Sequence, residues 1–236
     1  SLICVPLASH GDLIGFLHAT KAFQYGFDQD DIDVLTTFAD HVTIAIENSK
    51  LIAKSLERER FQQEMMVAQQ MQKRLLPQRI PYYAALDVAA VSVPSLEVGG
   101  DYYDFVALDP QRFGVVVGDV SGKGVSAAFY MAEVKGIFQS LSRVAVSPRD
   151  LLLRANQALS DSLERSAFIS LLYAIFDTQK SIVTLARAGH CPMIHISGDS
   201  TKEVRPNGLG LGLTDEKIFE ESTEETTISL KSGDVC

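Results

Sequence analysis

Two aspartates and the glycines beside them carry most of the chemistry legible in this sequence. Asp101 stands in Gly99-Gly-Asp-Tyr-Tyr-Asp104, and Asp119 in Gly118-Asp-Val-Ser-Gly-Lys-Gly124. Asp119 closes the apolar run Val115-Val116-Val117-Gly118. A carboxylate at the end of a buried strand, next to glycine, can face a cation with no bulky neighbour in the way. Two such ends on adjacent strands bring like charges together, which repel unless a proton or a metal sits between them. A ligand set made only of oxygens favours Mg²⁺ or Mn²⁺ over zinc. Either turn alone is also a common hairpin connection, since Asp and Gly both serve tight turns. Their pairing, one hairpin apart, points to metal binding.

These strand ends need elements to hold them. The segment between the motifs reads as strand-turn-strand, and Leu86 to Pro94 alternates well enough for a further half-buried strand. Gly122 and Gly124 flank Lys123 in a tight turn, where the lysine either meets a phosphate or stays in solvent. A buried helix is predicted over Ala127 to Leu141, apolar on most sides. Ser147 caps a second helix running from Pro148 to about Leu163. Phe168 to Phe176 and Ser181 to Ala188 read as strands joined by a turn at Asp177 to Lys180, and Thr226 to Leu230 as a last strand. Strands, then two helices, then strands indicate an α+β domain. The Gly-Leu-Gly-Leu-Gly-Leu run at 208–213 reads as a loop; it lacks the Lys-Ser/Thr pair of a phosphate-binding loop. His190 reads as a turn residue or as a general acid.

The first 77 residues read differently. Ser1 to Thr20 predicts two strands turning at His10-Gly11-Asp12. Asp28 is a predicted N-cap, and no proline or glycine interrupts Asp28 to Leu76. Such a helix would extend on the order of 70 Å. Leu35, Phe38, Val42, Ala45, Ser49, Ile52 and Leu56 trace a heptad seam that slips register after Leu56. The polar middle, Lys54 to Glu64, predicts a connector or a coiled coil with a second copy, the alternative being two helices broken near Glu57. Met65, Met66 and Met71 are predicted to fill gaps against the next domain.

The double motif resembles the paired signature of the SpoIIE-type branch of PPM-class, metal-dependent Ser/Thr phosphatases. Val67 to Pro81, VAQQMQKRLLPQRIP, resembles that family's opening segment, and Arg187 to Pro192, RAGHCP, its AGH-P turn. The resemblance implies a PPM-type β-sandwich flanked by helices and a centre of two Mn²⁺ or Mg²⁺ ions. Asp119 is then the bridging carboxylate and the Val120 carbonyl a further ligand. Asp101 holds the second metal, so Asp101 and Asp119 are the expected catalytic and metal residues. Asp104 and Glu97 are weaker candidates, Asp104 being expected to orient the loop. The family carries further metal-binding aspartates after a strand whose start Ser232 to Cys236 resembles; Asp234 would enter that strand and not bind metal. The chain therefore reads as a piece cut at both ends, weak or inactive alone. Ser1 to Leu51 resembles the C-terminal end of a GAF domain. The implied organisation is a GAF end over 1–51, a helical linker over 52–77 and a phosphatase domain over 78–236.

Composition is consistent with this reading. A net charge of −9 disfavours nucleic-acid and anionic-membrane partners. Three cysteines without a CxxC pair suit a reducing cytoplasm, and no apolar run reaches bilayer length. The expected function is hydrolysis of phosphoserine or phosphothreonine on a regulatory protein of the anti-sigma-factor-antagonist type, under an upstream sensor and in a homodimer joined through the linker helix. A catalytically inactive regulator and a dimeric signalling scaffold are the alternatives.

Overall fold

A computed structural model describes residues 1–24, 26–80, 82–83, 85–93, 98–164 and 166–236. The chain divides into two compact units, Ser1–Glu64 and Met65–Cys236.

In the first unit, β1 (Leu2–Ser9) and β2 (Asp12–Thr20) pair antiparallel. His10 and Gly11 make the turn at positive φ, 49° and 92°. Helix α1 (Gln29–Leu75) follows, 47 residues without interruption. Asp28 caps it: its side chain accepts from the Asp31 N–H at 2.9 Å, and Asp31 accepts from the Asp28 N–H at 3.2 Å, a reciprocal box. The continuity of α1 decides against a break near Glu57. Within this unit the N-terminal part of α1 buries an apolar stripe, Leu35, Ala39, Val42 and Ile46, against Val5, Leu7, Ile14 and Leu17. Phe38, Ile52 and Leu56 of the expected seam stay exposed.

The second unit is built on a five-stranded antiparallel sheet in the order β3-β4-β5-β6-β9. Its strands are β3 (Tyr102–Ala107), β4 (Arg112–Val120), β5 (Ile169–Asp177), β6 (Ile182–Ala188) and β9 (Glu225–Ser229). Alternation along the strands gives the sheet two apolar faces. On one face Val116, Val120, Ile169, Leu171, Tyr173, Ala186 and Ala188 meet helices α2 (Val125–Leu141) and α3 (Pro148–Leu159) through Met131, Phe138, Leu151 and Leu152. Each of these large buried side chains contributes roughly 1.5–3 kcal/mol on removal from water. On the other face Leu172, Ala174, Val183 and Leu185 pack under Met193 and Val204 of a separate hairpin, β7 (Met193–Ser197) and β8 (Ser200–Val204). A short helix α4 (Glu216–Ser222) precedes β9. The architecture is α+β, a layered sheet with helices.

Several boundaries move from expectation. The strand expected over 86–94 does not form: 86–93 hold only an isolated bridge, Tyr83 with Leu86, and Pro94 lies outside the described residues. Val91 and Val93 are exposed, so the alternation has no partner strand to bury it. The Ser147 cap is present, accepting from the Asp150 N–H at 3.3 Å, but α3 ends at Leu159. The β7–β8 hairpin and α4 were not anticipated. Met193 to Val204 alternates around Gly198-Asp199, and Asp215 caps α4, so both carried weak local signals.

Candidate active site at one end of the sheet

The two aspartates meet where β3 begins and β4 ends. Tyr102 pairs with Gly118 in the β3–β4 register. One position further, Asp101 stands opposite Asp119, and beyond that the Val120 N–H donates to the Gly100 carbonyl at 3.3 Å. Asp101 and Asp119 therefore occupy a non-hydrogen-bonded pair, where opposed Cα atoms are about 4.5 Å apart and side chains share a face. Gly100 makes this approach possible. A Cβ there would lie 2.5 Å from the Val120 carbonyl oxygen and 3.0 Å from Asp119 Oδ1.

Both carboxylates reach solvent. Partial burial raises the Asp119 pKa above the ordinary carboxyl value, and the negative charge of Asp101 raises it further; His190 and the Val120 N–H oppose the shift. A raised carboxyl among like charges is relieved by a cation as well as by a proton. The Val120 carbonyl lies against the same Gly100 cradle. Two carboxylates and a carbonyl are oxygen donors suited to Mg²⁺ or Mn²⁺, which keep several waters when the protein supplies few ligands. The residues present fit such an ion. Among the described residues no group of three or more His, Cys, Asp or Glu side chains is placed to hold a metal.

The row continues across the sheet. Ser170 pairs with Asp119 in the β4–β5 register. Its Oγ lies 2.8 Å from His190 Nδ1. His190 follows Gly189, which leaves β6 at a φ of 68°. The Arg187 guanidinium donates to the His190 carbonyl at 2.7 Å and to the Pro206 carbonyl at 3.1 Å, fixing the turn. Burial depresses the His190 pKa, Arg187 depresses it further, and Asp119 and Asp101 counter. The 208–213 loop packs here as well: Gly189 N–H donates to the Gly208 carbonyl at 3.0 Å, and Leu211 exchanges two backbone bonds with Ile169. It is a packing segment of the sheet end.

Other expected residues fall elsewhere. Asp104 points to the helical face, where it accepts from Lys135 at 2.7 Å and from the Tyr102 hydroxyl at 3.1 Å; it ties β3 to α2. Glu97 lies outside the described residues. Lys123 is exposed in its turn, and Gly124 opens α2 at a φ of 73°. Asp234 sits 2.9 Å from His195 Nε2 under the β7–β8 hairpin.

Two residues were missed. Ser170 is a small polar residue inside an apolar strand, a weak signal. Gln72, on α1, donates to the Gly99 carbonyl at 2.5 Å and accepts from the Gly99 N–H at 3.1 Å; it lies within the Val67 to Pro81 segment, but nothing local in the sequence points to Gly99 as its partner.

Comparison with known proteins adds lineage to this geometry. Residues 109–236 match the family model for Stage II sporulation protein E (SpoIIE), and residues 1–47 match a GAF domain. The chain is 34% identical over 167 residues to the phosphoserine phosphatase RsbU of Bacillus subtilis, covering 69% of this chain and 50% of that protein. It is 25% identical over 244 residues to protein IcfG of Synechocystis, covering 90% and 38%. The chain thus spans half or less of the length of these curated relatives. Among solved structures, the SiaA-PP2C domain of Pseudomonas aeruginosa superposes with a TM-score of 0.61 at 17% identity, over 75% of this chain and 70% of that one. The RsbU and RsbW domains of Rv1364c from Mycobacterium tuberculosis give 0.51 at 25% identity, over 61% and 39%.

Proposed function

This chain belongs to the Stage II sporulation protein E family, and on that premise we propose that it is the catalytic part, with its regulatory lead-in, of a metal-dependent protein phosphatase acting on phosphoserine or phosphothreonine. The substrate is a regulatory protein of the anti-sigma-factor-antagonist type. The observation that supports this most is the facing of Asp101 and Asp119 across the β3–β4 pair.

When bound, two Mn²⁺ or Mg²⁺ ions supply Lewis acidity that lowers the pKa of a water and neutralises phosphoryl charge. Asp119 and Asp101 would hold the ions through their carboxylates, and the Val120 carbonyl would add a donor. Gly100 keeps the two strand ends close enough for both carboxylates to reach one centre. His190, held by Ser170 and with its pKa lowered by burial, presents an imidazole beside the carboxylates. No protein nucleophile is required, in keeping with a site built of carboxylates.

Residues 1–51 form the end of a GAF sensor domain, 52–77 the helical linker and 78–236 the phosphatase domain; the separate matches over 1–47 and 109–236 support this division. The linker joins two copies. The exposed apolar residues Phe38, Ile52 and Leu56 on α1 support that partner. Three exposed free cysteines support a reducing, cytoplasmic setting, and no described helix is long and apolar enough to cross a membrane.

Mn²⁺-dependent release of phosphate from a phosphoserine protein, abolished in Asp119→Ala, tests the reading. Hydrolysis that needs no divalent ion, or that survives Asp119→Ala, overturns it.

A further inference from the structure

We propose that Arg187 and Arg205 form a second binding site beside the carboxylate pair, one that takes an acidic side chain flanking the phosphoserine of the protein substrate; this rests on the phosphatase reading above.

Arg187 is 9% exposed, and a buried arginine ordinarily has a carboxylate to pair with. Among the described residues no Asp or Glu makes an ion pair with Arg187 or with Arg205. The Arg187 guanidinium donates to backbone instead, from Nε to the Pro206 carbonyl at 3.1 Å and from Nη1 to the His190 carbonyl at 2.7 Å. Neutral carbonyls satisfy those N–H groups and leave the charge unbalanced. Nη2 has no acceptor among the described residues. It is not sealed away either, since among those residues the orphaned buried side-chain polar atom is Thr214 Oγ1 alone. The fork therefore keeps a donor arm open to solvent.

Arg205 brings a second positive charge to the same place. It is exposed, and it stands immediately before Pro206, whose carbonyl Arg187 holds. Burial lowers the Arg187 pKa, and the charge of Arg205 lowers it further. Two cations set together are relieved by an oxyanion, as two carboxylates are by a cation. Arginine forks match a carboxylate in shape as well as in charge.

The sheet register says which anion. Asp119 opposes Ser170, and Arg187 opposes Leu172. Ser170 and Leu172 lie two apart on β5, so Asp119 and Arg187 project from the same face. Two strand spacings, about 10 Å, separate β4 from β6. Pinned by two carbonyls, Arg187 does not swing across to a phosphoryl group at the carboxylates. Its anion is a second group on the same substrate, and the other oxyanions that a protein offers are Asp and Glu. About three residues of extended chain cover the distance.

The test uses two synthetic phosphoserine peptides, with Glu or with Gln at the second to fourth positions on both sides. Arg205→Gln is compared with Lys202→Gln, an exposed position with the same change in net charge. Arg205 is chosen because Arg187 also holds its turn. With Mn²⁺, the parent is expected to show a KM at least about 10-fold lower for the Glu peptide, the worth of one charge-assisted hydrogen bond. Arg205→Gln should lose that preference with kcat unchanged, and Lys202→Gln should keep it. In the metal-free protein, the Nε–Hε NMR signals of Arg187 and Arg205 should shift with the Glu peptide and not with the Gln peptide. Equal KM for the two peptides in the parent, or a preference that survives Arg205→Gln, overturns this proposal alone. Arginine shifts specific to the Glu peptide, in a protein that hydrolyses neither peptide, overturn the phosphatase reading and leave the acid-binding pair standing.

Discussion

Asp101 faces Asp119 across β3 and β4 with only Gly100 between the strand ends and a clash. Without a cation this arrangement sets charge against charge. Asp119→Asn is therefore expected to leave the metal-free Tm unchanged or slightly higher. The same variant should lose the rise in Tm that Mn²⁺ gives the parent, together with more than about 100-fold in phosphate release, since even residues behind the ligands cost 10–100-fold. Thermal melts with and without Mn²⁺ check both halves. A variant that melts lower and still responds to Mn²⁺ would place the pair in a structural role.

Burial of Asp119, with the repulsion added to it, gives a pH dependence. The folded-state pKa of Asp119 is raised, so the folded chain binds a proton more readily than the unfolded one. Between the ordinary carboxyl value and the raised one, metal-free stability falls as pH rises, and the penalty is absent at lower pH. Metal affinity runs the other way and drops as the carboxyl protonates. Asp101→Asn removes the charge contribution and should shift the Asp119 titration, followed by carboxyl NMR, towards its ordinary value.

Asp104 belongs to a different construction. Its ion pair with Lys135 is mostly buried, with 8% and 16% of the side chains exposed. Lys135→Met leaves a buried carboxylate with only the Tyr102 hydroxyl and the Phe105 N–H to satisfy it. Urea denaturation should show a loss of about 3 kcal/mol, the lower end for a broken buried pair. Activity per folded molecule should hardly change, which distinguishes this carboxylate from the two at the strand ends.

At the β7–β8 hairpin, hydrogen bonds from Ser197, the Lys231 N–H and His195 hold the Asp234 pKa down at about 2. A depressed carboxyl stabilises the fold above its unfolded value and loses that contribution as pH falls through the folded one. Between about pH 4 and pH 2 the parent should lose stability that Asp234→Asn lacks throughout, so their acid-unfolding curves converge at the acid end. Near-UV circular dichroism against pH is the measurement.

For α1, Ile52→Glu with Leu56→Glu should shift sedimentation towards the monomer if two copies join through this helix. The Asp28 cap lies far along the sequence, and Asp28→Ala, costing about 1 kcal/mol, should not alter assembly.

Much of the fold was readable because its elements carry strong local periodicity. The hairpin 102–120, the strands 169–177 and 182–188, and α1 with its Asp28 cap all fall close to where apolar spacing and turn chemistry put them. The exception at 86–93 shows the limit: alternation marks a strand only when something pairs with it. The carboxylate pair was legible because strand ends, glycines and aspartates are all local features. Ser170 and Gln72 were not, since each acts on a residue 20 or 27 positions away, and only the folded register brings them there.

Gly100 also constrains how this lineage can vary. Alanine, the smallest possible replacement, would put a methyl group into the Val120 carbonyl and prise the first strand from the second. A saturation library scored for phosphate release should return a single permitted amino acid at that column, whereas the neighbouring surface turns tolerate many.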